Sequence, residues 1–246
     1  MNPLESAILK AEWAHSHLHL LYADVEHVLG PKTQRLPGDF DSEDSRYIIR
    51  RNIGKPPWDE WALTIGDIAT NLRDSLDHIA YQLALQTTTD IKILKDIYFP
   101  LLQERNDGDF RGRTKHFKPE ATKEIKRFQP YHASQPFAHP LTVLNEVARI
   151  GKHRHINVMV LTVGFNRHDI PNGGAVDLCF DDASVVAVVS GTPDSQEEFK
   201  PEISTEPHFE LVDTAGTHHF NFGYLHEAYA IIRNDIIPVF ARILPE

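Results

Sequence analysis

Between Ile65 and Leu83 the apolar residues Ile65, Ile68, Leu72, Leu76, Ile79 and Leu83 recur at alternating three- and four-residue steps. At about 100° per residue this spacing draws a single apolar stripe along a helix. A chain carrying such a stripe must supply a core for it to face, so a long helix over 62–86 is the element around which the rest is arranged. The same segment carries an unusual density of polar side chains. Asp67, Asn71, Asp74, His78 and Gln82 fall within a narrow arc away from the stripe. Arg73 and Asp77 stand one turn apart, where opposite charges pair.

A second long helix is expected over 4–29, with Ala11, Leu18, Tyr22, Val25 and Leu29 on its buried side and Gly30-Pro31 closing it. A polar loop over 32–45 precedes a short strand over 46–53, which Lys55-Pro56-Pro57 breaks. The stretch 87–136 is irregular, with an extended segment at Ile97-Tyr98-Phe99-Pro100 and a short helix over 120–128. A third core helix fits 140–151, with Pro140 in its first turn and Gly151 at its end. From His155 the character changes. The segments 156–163, 175–180, 184–189 and 209–212 are rich in β-branched and aromatic residues, with turn signals at Asn172-Gly173-Gly174, Asp181-Asp182 and Gly191-Thr192-Pro193. Helical spacing returns over 223–244, where Pro238 should kink the helix or end its regular part. These elements predict an α+β fold: a bundle of about four long helices with a small antiparallel β-sheet between the third and last. The 246 residues read as a single domain, the bundle drawn from 4–152 and 220–244 and the β segment from 155–212.

Composition narrows the function classes. A net charge of -10 works against broad electrostatic binding of RNA or DNA, which relies on lysine and arginine displacing counterions from phosphates. The one basic-rich stretch, from Arg105 to Arg127, reads most simply as a solvated loop and helix face. Cys179 is the only cysteine, so an internal disulfide and cysteine-rich metal sites are excluded. No apolar run approaches the roughly 20 residues that span a bilayer, and Met1-Asn2-Pro3-Leu4-Glu5-Ser6 lacks the regions of a signal peptide. A soluble, cytoplasmic protein without a membrane partner is the expectation.

Three residue sets carry candidate chemistry. In the first, Arg73, the polar Asp74 directly after it, and His78 after four intervening positions resemble the Arg-x(4–6)-His pattern of HEPN-type helical domains. Those domains are often metal-independent ribonucleases and commonly act across a helical dimer. The resemblance implies that Arg73 stabilises phosphate charge, that His78 takes part in proton transfer at a ribose 2′-hydroxyl, and that Asp74 supports them. The alternative is that Arg73 pairs with Asp77 and His78 bonds Asn71 or Asp74 in a structural polar layer. A larger set is similar to a group of uncharacterised bacterial proteins: the Leu72-Arg73-x-x-Leu76-Asp77-His78 helix, Phe99-Pro100, Gln129-Pro130-Tyr131 and the later Lys152-His153-Arg154 element. That resemblance implies no established activity.

In the second set, Glu12-x-x-His15 followed by His19 puts two imidazoles on one helix face. With His78 they would form a mononuclear site for a divalent metal if the first two long helices pack antiparallel. A di-iron site would need a second Glu-x-x-His, which is missing. The alternative is that both histidines flank the core stripe. In the third set, Lys152, His153, Arg154 and His155 either complement a helix C-terminus or bind a phosphate beside Arg73. No phosphate-binding loop, nucleophile elbow, dinucleotide fingerprint or His-Glu-x-x-His is present. The specific expectation is therefore a HEPN-like RNA-binding or metal-independent ribonuclease bundle, with Asn71, Asp77, Lys152, His153 and Arg154 as further binding residues. Its alternatives are a non-enzymatic binding or interaction module and the histidine metal site. No cofactor beyond that metal is expected, and a homodimer is the partner that the HEPN resemblance implies.

Overall fold

The computed structural model describes residues 3–151, 156–165, 176–180, 184–190, 199–213 and 216–244. The fold is mixed α+β with antiparallel sheets, and the chain divides into two compact units. One, largely helical, comprises Met1–Leu20, Glu60–Asn157 and Phe209–Glu246; the other, largely β, comprises Leu21–Asp59 and Val158–His208.

The helical unit is built around α1 (Glu5–Leu29, of which the part to Leu20 belongs here) and α2 (Trp58–Leu85). All six residues of the stripe from Ile65 to Leu83 are buried, as the periodicity requires. From Leu4 into α1 the buried line is Leu4, Ala7, Ala11, Ala14 and Leu18, and its three alanines let a neighbouring backbone come near. Three short helices follow: α3 (Ile91–Leu94), α4 (Asp107–Thr114) and α5 (Pro119–Arg127). Next come a 3-10 turn at Pro130–His132 and α6 (Pro140–Gly151). Gly66 of α2 and Gly151 of α6 meet where the two backbones pass, and a Cβ on Gly151 would lie 3.3 Å from the Gly66 Cα. The final helix is interrupted. α7 (Gly223–Ala230) passes into a π-helical segment (Ile231–Ile236) before α8 (Ile237–Ala241). Pro238 lacks the N–H that a regular ladder needs, and a wider turn on its N-terminal side absorbs the lost bond.

In the β unit, the stretch read as a polar loop contains β1 (Thr33–Arg35) and β2 (Gly38–Asp41), followed by β3 (Arg46–Asn52). Downstream lie β4 (Val158–Phe165), β5 (Val176–Phe180) and β6 (Ser184–Ser190). Then come the 12-residue β7 (Glu202–Asp213) and β8 (Gly216–Asn221), the latter within the helical unit. One sheet has the order β2-β3-β6-β5; the other runs β1-β7-β4, with β8 also on β7. The β3–β6 pairing sets Tyr47 opposite Val189 and Ile49 opposite Ala187, and these four with Ile203 form the buried core of the unit. The expected turns at 172–174, 181–182 and 191–193 lie outside the described residues.

Two features correct the expected architecture. Only α1 and α2 are long helices among the described elements, with 25 and 28 residues. The strands also do not all lie between the third and last helices, because β1 to β3 come from the N-terminal part of the chain. The strand over 46–53 is as expected, but the short, polar β1 and β2 hold no periodic signal. β1 is made a strand by pairing with β7 more than 160 positions away, and β2 by pairing with β3, which itself pairs with β6 more than 130 positions away.

Arg51 continues the inward face of β3 after Tyr47 and Ile49 and is itself buried. Its Nη2 donates to the carbonyls of Leu29 (2.9 Å) and Pro31 (2.6 Å). This closes the C-terminal end of α1 where Gly30 adopts a φ of +75°. A cation is suited to those unsatisfied carbonyls.

His139 begins α6 in a comparable way, its carbonyl accepting from Thr142 and Val143 and its Nδ1 from the Leu141 N–H (3.2 Å). Only a neutral imidazole can accept there, and burial pushes the His139 pKa below its ordinary 6.5. The unfolded chain therefore takes up this proton first. The stabilisation from His139 is complete above about pH 6.5 and is lost as pH falls below it. Thermal unfolding between pH 7.5 and 5 should show this loss, and His139→Asn, which keeps a capping acceptor that does not titrate, should flatten it. For Arg51→Met, denaturant unfolding should give a loss of about 2–4 kcal/mol, since charge-assisted bonds to buried carbonyls are removed.

Candidate functional site

The polar side chains of α2 in the helical unit separate into three groups. The first joins α2 to the start of α1. Lys10 Nζ donates to Asn71 Oδ1 (3.1 Å) and Asp74 Oδ2 (3.0 Å), and Ser75 Oγ donates to the Ala7 carbonyl (2.7 Å). Asn71 and Asp74, expected as binding and catalytic support, are thus engaged with another helix of the same unit.

The second group is a clamp on the segment Phe99–Leu102. Arg73 is buried, and its Nη2 donates both to Asp77 Oδ1 (2.9 Å) and to the Phe99 carbonyl (2.6 Å). Asp77 Oδ1 in turn accepts the Phe99 N–H (2.8 Å). Burial opposes the charge on Arg73, and the Asp77 carboxylate favours it. Three residues further along, Gln129 repeats the device. Its amide nitrogen donates to the carbonyls of Pro100 (2.9 Å) and Ile125 (3.0 Å), and its Oε1 accepts the Leu102 N–H (3.0 Å). The Phe99 side chain is fully buried and meets Phe240 edge-on, with ring centres 6.0 Å apart. Arg73, Asp77, Phe99-Pro100 and Gln129, which the sequence presents as scattered motifs, thus make one structural feature. An irregular segment in a buried place must have its peptide groups satisfied by side chains, because no strand or helix does it.

The third group is His78, five residues and so about 140° around the helix from Arg73. Its Nδ1 pairs with Ser6 Oγ of α1 (2.9 Å). It lines an open groove of about 490 Å³ together with Ser6, Asp77, Tyr81, Gln82, Leu94, Lys95 and Ile97. Arg73 is not among the residues lining it. The expected catalytic pair is therefore placed with one member in the interior and the other at the surface. Ser6 and Lys95 were not singled out from sequence. Gln82, one turn beyond His78, was legible as part of the polar arc of α2.

Four of the eight lysines and arginines from Arg105 to Arg127 are paired off locally. Asp107 takes Arg105 and Lys126, Asp109 takes Arg113, and Glu124 takes Arg127. Arg113 also lies over the Tyr98 ring, 5.4 Å from its centre, beside a pocket of about 370 Å³ that includes Lys92, Asp96 and His116. Lys152, His153, Arg154 and His155 lie outside the described residues.

The histidine pair on α1 has defined surroundings. The Nε2 atoms of His15 and His19 are 3.0 Å apart. His15 stacks on Tyr229 of α7 with ring centres 3.9 Å apart and planes 5° from parallel, and its ring centre lies 5.7 Å from that of His226. Burial, followed by the charges of His19 and His226, keeps the His15 pKa below its ordinary value. Glu12, one turn earlier, accepts from Arg233 Nε (2.6 Å) and from the Tyr229 hydroxyl (3.2 Å). Arg233, ahead of Tyr229, holds its carboxyl below the usual range. The expected third imidazole, His78, does not belong to this group. It pairs with Ser6, nine residues before His15 and so about 13 Å along the helix. Sequence reasoning missed His226 and Tyr229, whose meeting with α1 is a tertiary contact. Among the described residues, no three His, Cys, Asp or Glu side chains are grouped to hold a metal ion. Nor is any helix long and apolar enough to cross a membrane.

The clamp is open to direct measurement. Asp77→Ala leaves a buried guanidinium without its counter-charge and should cost about 3 kcal/mol or more in denaturant unfolding. Gln129→Ala should cost about 2 kcal/mol. Because both hold one segment, the double variant should lose less than the sum. No family model, curated protein or solved structure matches this chain.

Proposed function

We propose that the chain is a non-enzymatic binding module whose receptor surface is the His78 groove, and that its ligand is a small phosphorylated or carboxylated molecule. The observation that carries this reading is the division of labour on α2. Arg73 is buried against the Phe99 carbonyl and Asp77 holds the Phe99 N–H while also bordering the groove, whereas His78 opens into the groove with Lys95. In the HEPN manner of RNA cleavage, the arginine must reach the phosphate that the histidine's proton transfer acts beside. A guanidinium bonded to a carbonyl and a carboxylate in the interior is poorly disposed for that. The groove itself offers a cation at Lys95, the His78 imidazole, the Ser6 hydroxyl and the Gln82 amide, with the half-exposed Tyr81 ring as an apolar wall and the Asp77 carboxylate, paired with Arg73, at its border. A few convergent polar groups beside apolar walls are the usual make-up of a small-molecule site. The acidic balance of the chain also favours a compact ligand over extended nucleic acid.

Two experiments test this. Adenosine monophosphate titrated into the protein should shift the NMR signals of His78, Tyr81 and Lys95, and Lys95→Ala should weaken binding about tenfold through loss of one charge-assisted contact. Mixed RNA incubated with the protein in EDTA should remain intact. Cleavage that disappears in a folded His78→Ala variant would overturn the binding-module reading in favour of a metal-independent ribonuclease.

A further inference from the structure

Away from the groove, α1 and α7 bring together an imidazole cluster that the proposed function does not use. His15 and His19 have the i, i+4 relation that turns two side chains to the same face. Their Nε2 atoms approach to 3.0 Å. Two nitrogens bound to one metal at about 2.0–2.1 Å, with an angle between tetrahedral and square, lie about 2.9–3.4 Å apart. The observed spacing is already that of a chelate.

The surroundings fix this arrangement. Tyr229 lies flat against His15, 3.9 Å between centres and 5° from parallel, so the ring has one orientation. Tyr229 is itself anchored through its hydroxyl to Glu12, and Glu12 to Arg233. Arg233 sits in the π-helical segment, the kind of local widening that re-aims side chains. The Glu12 carboxylate is thus a positioning group and not a ligand. His19 is exposed, which leaves the outer side of the pair open to solvent ligands, and the His226 ring stands 5.7 Å from His15. In the resting state one Nε2–H donates to the other Nε2. Each imidazole can instead carry its proton on Nδ1 and present an Nε2 lone pair, so a cation enters without net proton release.

We propose that His15 and His19 form a two-imidazole chelate for a divalent first-row transition metal, with copper bound more tightly than nickel or zinc and the remaining positions filled by water. Nitrogen donors of this kind select such ions over magnesium and calcium, which require oxygen ligands.

The test is calorimetric titration of the full chain with copper(II), nickel(II) and zinc(II) salts, together with electron paramagnetic resonance of the copper form. The expected result is one saturable equivalent of copper with nitrogen couplings in the spectrum. His15→Ala and His19→Ala should each weaken it by about tenfold or more, while His132→Ala leaves it unchanged. Melting temperatures of all four proteins without metal check that the fold is intact, and His19→Ala, at an exposed position, should preserve it. Equal binding by the His15→Ala/His19→Ala double variant would overturn the proposal. So would equal loss on removing His132, since that would make binding a general property of surface histidines.

Discussion

A guanidinium in the middle of a core helix is costly to remove from water unless its donors are bonded again inside the protein. Arg73 meets this condition at Nη2, through Asp77 and the Phe99 carbonyl, while its buried Nη1 has no hydrogen-bond partner among the described residues, and this solution shapes the helical unit. Because Asp77 also takes the Phe99 N–H, the pair satisfies both backbone groups of one residue. An irregular segment can then lie in the interior, and the Phe99 ring can be buried against Phe240 at the far end of the chain. Gln129 continues the same task for Pro100 and Leu102. Side chains from α2 and from just beyond α5 thus replace the hydrogen bonds that a strand would have supplied.

The clamp also decides what remains for binding. Along α2 the polar arc is divided by partner: Asn71 and Asp74 to Lys10, Ser75 to the α1 backbone, Arg73 and Asp77 to the Phe99 segment. At the level of His78 the helix borders an open groove, lined also by the start of α1 and by the short α3. A second polar feature, the aromatic and histidine cluster on α1, owes its geometry to α7 and to the π-helical turn that Pro238 imposes on the last helix. The two features share α1 but depend on different neighbours.

Much of the helical unit was legible in the sequence. The stripe from Ile65 to Leu83, the end of α1 at Gly30 and the limits of α6 all follow from local rules of periodicity and termination, which act within a few residues. Tyr22, expected on the buried side of α1, is instead exposed, because the buried line follows Leu18, Leu21 and Val25. The polar strands β1 and β2 gave no such signal, and neither did the N-terminal half of β7.

The candidate sites divide in the same way. The sequence by itself determined that Arg73 and Asp77 lie one turn apart and that His15 and His19 share a face, since helical geometry fixes both. It also set the overall acidity that disfavours extended nucleic acid. Only the tertiary structure decided that Arg73 is turned to a peptide carbonyl 26 residues away, that His78 meets Ser6 and not a metal cluster, and that Tyr229 and His226 stand beside His15. The reason is physical. Local spacing fixes where a side chain projects from its own helix, whereas its partner depends on which distant segment packs there, and that choice belongs to the burial of the whole core.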